Sequence, residues 1–329
     1  MSSNQYINQA VILVGGEGTR LRPLTLRTPK SLVPILNVPF IYWMLQWLAK
    51  YGINEVVLAL GYLSNEFNEI CQKFATDLHI KITQVIEQKP LGTAGAIKFA
   101  EQYLNEQFLV FNGDIFTQFD LNSFMNVHIE TNAALTIAVT PVIDPSQYGV
   151  VEHDVFNKRS GRILRFIEKP APGTTDAKEI NAGAYIMKRE ALNRANADTF
   201  VSLERGIFPA LAEEQAPICA YQLGDEYWID IGTIDKYRQV HWDLLKNSTQ
   251  PVVIGKSVII AGDAQIGPNV VLGDNVVVED GCRIENSILW NDCHIAAGAI
   301  LNGVIMADSC HVASGVILHD TVIPALEHI

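Results

Sequence analysis

Gly15, Gly16 and Gly18 fall within four positions, directly after the apolar run Ala10 to Val14, and Arg20, Arg22, Arg27 and Lys30 follow them. Glycines leave no side chain in the way, so backbone N–H groups can crowd around phosphate oxygens. Arginine and lysine then supply the charge that a polyphosphate requires. The string is not a Walker loop, since no Gly-Lys-Ser/Thr follows at the required spacing, and its glycine spacing is not the dinucleotide fingerprint. Asp114 stands just past another apolar run, "FLVFN", at the carboxyl end of a strand, where parallel sheets bind ligands. In a chain of net charge -12 the cationic loop is a local exception. It is suited to a small anion rather than to a nucleic acid.

These residues need a frame to hold them. Up to about residue 245, strand-like runs alternate with helical ones: "AVILV", "EVVLAL", "HIKITQVI", "FLVFN" and "ALTIAVT" are rich in β-branched residues. Between them "PFIYWMLQWLAKYG", "TAGAIKFAEQYL" and "LNSFMNVHIE" read as helices. The alternation predicts an α/β domain with a mostly parallel sheet covered on both faces.

After "LLKNSTQP" an apolar residue returns every six positions: Ile254, Ile260, Ile266, Leu272, Val278 and Ile284. The period resumes one residue early at Leu289, Ile295 and Leu301, and again at Met306, Val312 and Leu318. "IENSILWNDCHIAAGAI" is echoed by "LNGVIMADSCHVASGVI". Neither a helix nor a simple alternating strand has this period; it predicts a left-handed parallel β-helix of about four coils, starting near residue 251. Cys282, Cys293 and Cys310 occupy repeat positions and read as small core fillers. The Cys-His pairs at 293–294 and 310–311 do not have zinc-ligand spacing. The expected division is 1–245 for the α/β domain and 246–329 for the hexapeptide-repeat domain.

The totals fit a globular protein, with 48% hydrophobic and 18% charged residues. Five scattered cysteines suit free thiols in a reducing compartment, and the polar "MSSNQYINQ" lacks the regions of a signal peptide. No apolar run approaches a membrane span. The expectation is a soluble, cytoplasmic protein with neither a membrane nor a nucleic acid as partner.

"GGEGTRLRPLTLRTPKSLVPI" resembles the signature of the sugar-1-phosphate nucleotidyltransferases, and the resemblance continues through "EQKPLGTAGAI", "FNGD", "YGVV", "FIEKP", "INAGAYIM" and "YWIDIGT". It implies a Rossmann-like nucleotidyltransferase domain that joins a nucleotide to a sugar phosphate and releases pyrophosphate. In such a transfer a phosphate oxygen attacks the α-phosphorus in line, so catalysis is positioning and charge neutralisation. A divalent ion, Mg²⁺, is then expected with one or two carboxylates. The resemblance assigns these to Asp114 and Asp230. It gives Gly15 and Gly16 backbone contacts to the nucleotide, Arg20 the β- and γ-phosphates and Lys30 the attacked end of the triphosphate. Lys169 would grip the phosphate of the sugar phosphate. Glu168 would accept from sugar hydroxyls, helped by Asn181 and by backbone at Gly149 and Gly183. Arg22 and Arg27 read as solvated surface charges. Ser31 stands where the family often has a second proline after the lysine.

The segment "EQKPLGTAGAI", with Glu87, Gly92 and Thr93, is similar to the family's base-recognition segment and is most like that of the mannose-1-phosphate guanylyltransferases. A carboxylate only accepts hydrogen bonds, and guanine presents two adjacent donors. The resemblance thus implies GTP and mannose 1-phosphate. The alternatives are a glucose-1-phosphate thymidylyl- or uridylyltransferase, a heptose-1-phosphate guanylyltransferase and a non-catalytic regulatory subunit that binds nucleotide sugars. A fourth is a hexapeptide-repeat acyltransferase using His294 or His311. The coils, with nine acids against two bases from residue 251 onward, are expected to serve homo-oligomer assembly.

Overall fold

Ala10 to Ile12, Val56 to Leu60 and Phe108 to Phe111 are almost wholly buried, as continuous apolar strands must be when both faces of a parallel sheet are covered. In the computed structural model, which describes residues 6–61, 67–154, 159–246 and 251–329, these runs lie side by side. Residues 1–5 of the polar N-terminal stretch and 247–250 of the linker fall outside the described residues. The elements begin with β1 (Gln9–Val14), β2 (Pro34–Ile35), β3 (Val38–Pro39), α1 (Phe40–Lys50), β4 (Glu55–Leu60), α2 (Phe67–Leu78), β5 (Lys81–Ile86) and α3 (Gly92–Phe99). Then come β6 (Gln107–Asn112), β7 (Ile115–Gln118), α4 (Leu121–Thr131), β8 (Leu135–Pro141), β9 (Gly149–His153) and β10 (Ser160–Glu168). After them follow β11 (Glu179–Lys188), α5 (Phe208–Glu213), β12 (Ile218–Gln222), β13 (Tyr227–Asp230) and α6 (Ile234–Lys246).

The chain forms two compact units, one of the residues through Gly16 with Met44–Ile229, the other of Glu17–Trp43 with Asp230–Ile329. The first unit is built on a nine-stranded sheet in the order β5-β4-β1-β6-β11-β8-β12-β10-β9. β5, β4, β1 and β6 are parallel to one another; beyond them β11 is antiparallel to both its neighbours, and β12 is parallel to β8. One face packs Phe208, Leu211 and Ile97 against Val110, Ile137 and Tyr185. Elsewhere Trp47 meets Phe111 and Phe119 edge-on, at ring separations of 5.5 and 5.1 Å. The run "TAGAIKFAEQYL" is a shorter helix than its composition suggests: α3 stops at Phe99 and a 3₁₀ turn, Glu101–Tyr103, follows.

In the second unit the six-residue period becomes three parallel sheets, one per face of a β-helix. Ile254 stacks on Leu272, Leu289, Met306 and Ile323; Ile260 on Val278, Ile295 and Val312; Ile266 on Ile284, Leu301 and Leu318. Cys282, Cys293 and Cys310 are buried among them, and all five cysteines of the chain are buried free thiols. His294 and His311 stack in register at 4.7 Å, and His294 Nε2 lies 2.7 Å from Glu279 Oε1.

Residues 17–43 and α6 belong with this β-helix because they are hydrogen-bonded to it. Asn37 Nδ2 donates to Leu272 O (2.6 Å), and an Arg238 guanidinium N–H donates to Gly303 O (3.0 Å). Trp290 Nε1 donates to the Tyr237 hydroxyl (3.0 Å), which in turn donates to Pro34 O (2.6 Å). Compactness therefore divides the chain differently from the linear order of motifs, since the glycine-rich string from Glu17 onward shares a unit with the repeats. Among the described residues no helix is long and apolar enough to cross a membrane.

Candidate active site

The glycines of the opening string have separate tasks. Gly18 has φ +63°, and a Cβ there would stand 3.1 Å from both Lys30 Cβ and Thr25 Cγ2. Thr25 Oγ1 donates to Gly18 O (2.7 Å), closing a turn that sets Lys30 at the head of a 3₁₀ turn, Lys30–Leu32. Around Gly16 the space where a side chain would go is open. Arg22, exposed and 3.9 Å from the equally exposed Glu17, is the surface charge it was expected to be.

Within the second unit, Arg20 and Asp230 flank Gly232: a Cβ on that glycine would lie 3.0 Å from Arg20 Nη2 and 3.1 Å from Asp230 Oδ2. Asp230 also forms an ion pair with Lys236, a cation that the sequence reading passed over. Its signal was available, six residues on in "DIGTIDK", but a lysine at the start of a helix reads as a solvated charge.

In the first unit Glu87 follows β5, and its N–H donates to Leu60 O at the end of β4 (3.0 Å). Glu87 Oε2 accepts from the Leu91 N–H (2.7 Å), and Oε1 lies 3.6 Å from where a Cβ on Gly15 would stand. The carboxylate thus sits at the carboxyl ends of adjacent parallel strands, beside the glycine loop. Burial raises its pKa, partly offset by the Leu91 N–H. Gly92 has φ +72°, and a Cβ there would come 2.6 Å from Val201 O; a Cβ on Gly95 would come 2.8 Å from Thr199 O. These glycines admit the 199–201 strand of chain, whose Val201 O accepts from Ala94 and Gly95 N–H groups at 2.9 and 3.0 Å. The Thr93 hydroxyl is engaged internally, donating to Glu204 Oε2 (2.8 Å) and accepting from Leu203 N–H (2.7 Å).

Gly149 and Glu168 are register partners between β9 and β10, and a side chain on Gly149 would collide with the Phe166 ring and come 2.9 Å from Glu168 Oε2. Lys169 takes φ +50°, uncommon for a residue with a Cβ, and its N–H donates to Tyr148 O (2.9 Å). Glu168 has a raised pKa, first from burial and then from the neighbouring negative charge of Glu204; Lys169 and Arg205 oppose the rise. A register shift along β11 lies between Asn181 and Tyr185. There Asn181 Nδ2 donates to the Tyr185 hydroxyl (2.8 Å), and Asn181 Oδ1 accepts from Gly183 N–H (2.9 Å). Gly183, at φ +72°, lets Asn112 and Ile115 approach. Asp114 is half-buried two residues beyond Asn112, whose buried Oδ1 has no hydrogen-bond partner among the described residues.

Gly15, Glu87, Gly92 and Thr93, expected at the nucleotide, and Gly149, Glu168, Lys169, Asn181 and Gly183, expected at the sugar phosphate, all stand in the first unit, with Asp114 and Gly16. Arg20, Lys30 and Asp230 stand in the second. Glu204 and Arg205, whose charges bear on Glu168, were not identified individually from sequence.

The nucleotidyl transferase family model matches residues 9–247, nearly three-quarters of the chain. The chain belongs to the nucleotidyl transferase family. A second model, the GMPPB C-terminal domain, matches residues 248–327. The chain is 34% identical to mannose-1-phosphate guanylyltransferase 1 of Arabidopsis thaliana over 303 residues, covering 88% of this chain and 81% of the relative. It is 38% identical to the catalytic subunit beta of the Dictyostelium discoideum enzyme, covering 80% and 72%. It is 33% identical to the mannose-1-phosphate guanylyltransferase of Mycobacterium tuberculosis (strain ATCC 25618 / H37Rv), covering 89% and 82%. Among solved structures, HddC from Yersinia pseudotuberculosis complexed with GMP-PN aligns at a TM-score of 0.60 and 28% identity, over 72% of this chain and 100% of that one. A UDP-glucose pyrophosphorylase, at 20% identity and a TM-score of 0.64, covers 74% of this chain and 100% of its own and shares the fold. This nucleotidyltransferase therefore has an α/β catalytic fold followed by a parallel β-helix.

Proposed function

We propose that the enzyme transfers GMP from GTP to mannose 1-phosphate, forming GDP-mannose and pyrophosphate. The observation that carries the choice of base is Glu87, a half-buried carboxylate held by Leu91 N–H beside Gly15. An acceptor-only group pairs with the N1–H and N2–H donors of guanine and would face a carbonyl oxygen on uracil or thymine. The curated relatives named mannose-1-phosphate guanylyltransferase support the sugar.

In this reading the Gly15, Gly16 and Gly92 backbones hold the nucleotide, and Thr93 braces α3. Arg20 takes the β- and γ-phosphates through to pyrophosphate, and Lys30 steadies the attacked end. Lys169 binds the phosphate whose oxygen attacks, while Glu168 and Asn181 orient the sugar, helped by the Gly149 and Gly183 backbones. Asp114 and Asp230 are assigned as carboxylate ligands for Mg²⁺. Hard oxygens suit that ion, and Asn112, two residues before Asp114, carries a buried Oδ1 that has no hydrogen-bond partner among the described residues. When bound, Mg²⁺ would neutralise phosphate charge; the positioning is left to the residues named.

The working boundary is taken after residue 245, with the β-helix as the assembly surface of a homo-oligomer. The buried free thiols are in keeping with a reducing cytoplasm. The test is pyrophosphate release with Mg²⁺, crossing GTP, UTP, dTTP, ATP and CTP against mannose, glucose and heptose 1-phosphates. Activity should peak with GTP and mannose 1-phosphate. A peak with UTP or dTTP would overturn the role of Glu87, and silence with every pair would favour a regulatory subunit.

A further inference from the structure

The segment after Thr199 is stitched to the first turn of α3: Val201 O accepts from Ala94 and Gly95, and Val201 N–H donates to Leu91 O (2.8 Å). It leads into a single π-helical turn, Leu203–Ile207, capped by Ser202, whose Oγ accepts from the Glu204 and Arg205 N–H groups at 3.1 and 3.2 Å. Such turns are rare and recur at functional sites. Glu204 is half-buried on this turn, and its two oxygens are used unequally. Oε2 accepts from the Thr93 hydroxyl (2.8 Å) and the Ser202 hydroxyl (2.7 Å). Among the described residues, Oε1 accepts no hydrogen bond.

The π-turn packs against β10, which ends at Glu168. Glu204 is close enough for its charge to oppose ionisation of Glu168 and of the buried Tyr185 phenol that holds Asn181. Two carboxylates brought together this way repel each other, and Lys169 and Arg205 only partly offset the repulsion at Glu168. A sugar removes the difficulty, since its hydroxyls are donors and each ionised carboxylate can only accept.

We propose that Glu204 is a specificity-determining residue for the sugar: one oxygen is fixed by Thr93 and Ser202, and the other accepts a sugar hydroxyl next to the one taken by Glu168. The inference rests on the reading of Glu168 and Lys169 as the sugar-phosphate side of the site. It also explains why a threonine in the base-recognition segment spends its hydroxyl on Glu204: the tether fixes the sugar carboxylate against the helix that adjoins the base.

The experiment compares wild type, Glu204→Gln and Ser202→Ala on mannose 1-phosphate and its 2-, 3-, 4- and 6-deoxy forms. Glu204→Gln should lower kcat/KM for mannose 1-phosphate by about ten- to a hundred-fold, the worth of a hydrogen bond to a charged group, with KM for GTP unchanged. One deoxy form that wild type penalises should lose its penalty in this variant, while Ser202→Ala, which keeps the carboxylate, should retain it. The acid limb of kcat/KM should also move to lower pH, because Glu168 loses a negative neighbour. Unchanged discrimination among the deoxy sugars, or an equal loss in GTP binding, would overturn the proposal. If another sugar phosphate proves to be the substrate, the mannose assignment falls and the deoxy series of that sugar decides the role of Glu204. If nothing turns over, calorimetric binding of mannose 1-phosphate decides it: weaker in Glu204→Gln upholds the proposal, and equal binding refutes it.

Discussion

Replacing Tyr237 by Phe removes a single oxygen, yet it should loosen the segment around Lys30, proposed above to hold the triphosphate. The hydroxyl is fully buried; it receives the Trp290 indole N–H and gives its own proton to Pro34 O, four residues after Lys30. Without it the Trp290 N–H, itself buried, has no acceptor, which costs about 1–3 kcal/mol. Pro34 is only half-buried, so water can reach its carbonyl and the loss there is about 0.5–1 kcal/mol. The expected destabilisation is about 2–3 kcal/mol, read from denaturant midpoints at constant slope. Trp290→Phe should cost less in the Tyr237→Phe background than alone, because the partner has already gone. Kinetically, KM for GTP should rise more than KM for mannose 1-phosphate, as Lys30 shares the displaced segment. A stability change below about 0.5 kcal/mol with unaltered kinetics would refute the idea that this relay holds the loop.

Glu87→Gln should lower kcat/KM for GTP by about ten- to a hundred-fold and raise the relative use of UTP or dTTP, measured as pyrophosphate release. Lys169→Gly should leave stability unchanged or raise it by about 1 kcal/mol, since glycine accepts φ +50° without strain, while KM for the sugar phosphate rises about ten-fold or more. Burial pushes the pKa of His128 and His241 down to about 4. The unfolded chain therefore binds protons from about pH 6.5 downward that the folded chain refuses, so this stability is complete above that pH and is lost as pH falls toward 4. Each histidine contributes at most about 3 kcal/mol to that loss, and a flat urea midpoint between pH 7 and 4.5 would contradict it.

The β-helix was legible to the residue because its period is set by one repeated physical event, a side chain entering the core at each face. Ile260, Val278, Ile295 and Val312 stack as their spacing predicts. Five strands of the sheet, β1, β4, β5, β6 and β8, were legible as β-branched runs, whereas β9 to β12 and the end of α3 at Phe99 were not. That Gly92 and Gly95 make room for residues 199–201 was not legible in "LGTAGA", because the chain that crosses them lies about a hundred positions away. Glu204 escaped for the same reason: its meaning depends on Thr93 and Glu168, and no local pattern joins the three. No sequence pattern marks Tyr237 or Trp290, and only their hydrogen bonds tie the repeats to Pro34.

The alliance between residues 17–43 and residues 230–329 has a consequence for the order of events during synthesis. The segment from Glu17 to Trp43 leaves the ribosome early, but the groups that fasten it, Tyr237, Leu272 and Trp290, follow about 200 residues or more later. At about 5–20 residues per second, the loop waits roughly 10–40 s for its supports. During that interval the nascent chain can complete much of its sheet, while the ties from residues 17–43 to Tyr237 and Leu272 are still to form. If residues 17–43 hold the triphosphate as proposed, that part of the grip should arrive late, when the coils wind, and a chain arrested before residue 290 should bind GTP more weakly than the full chain.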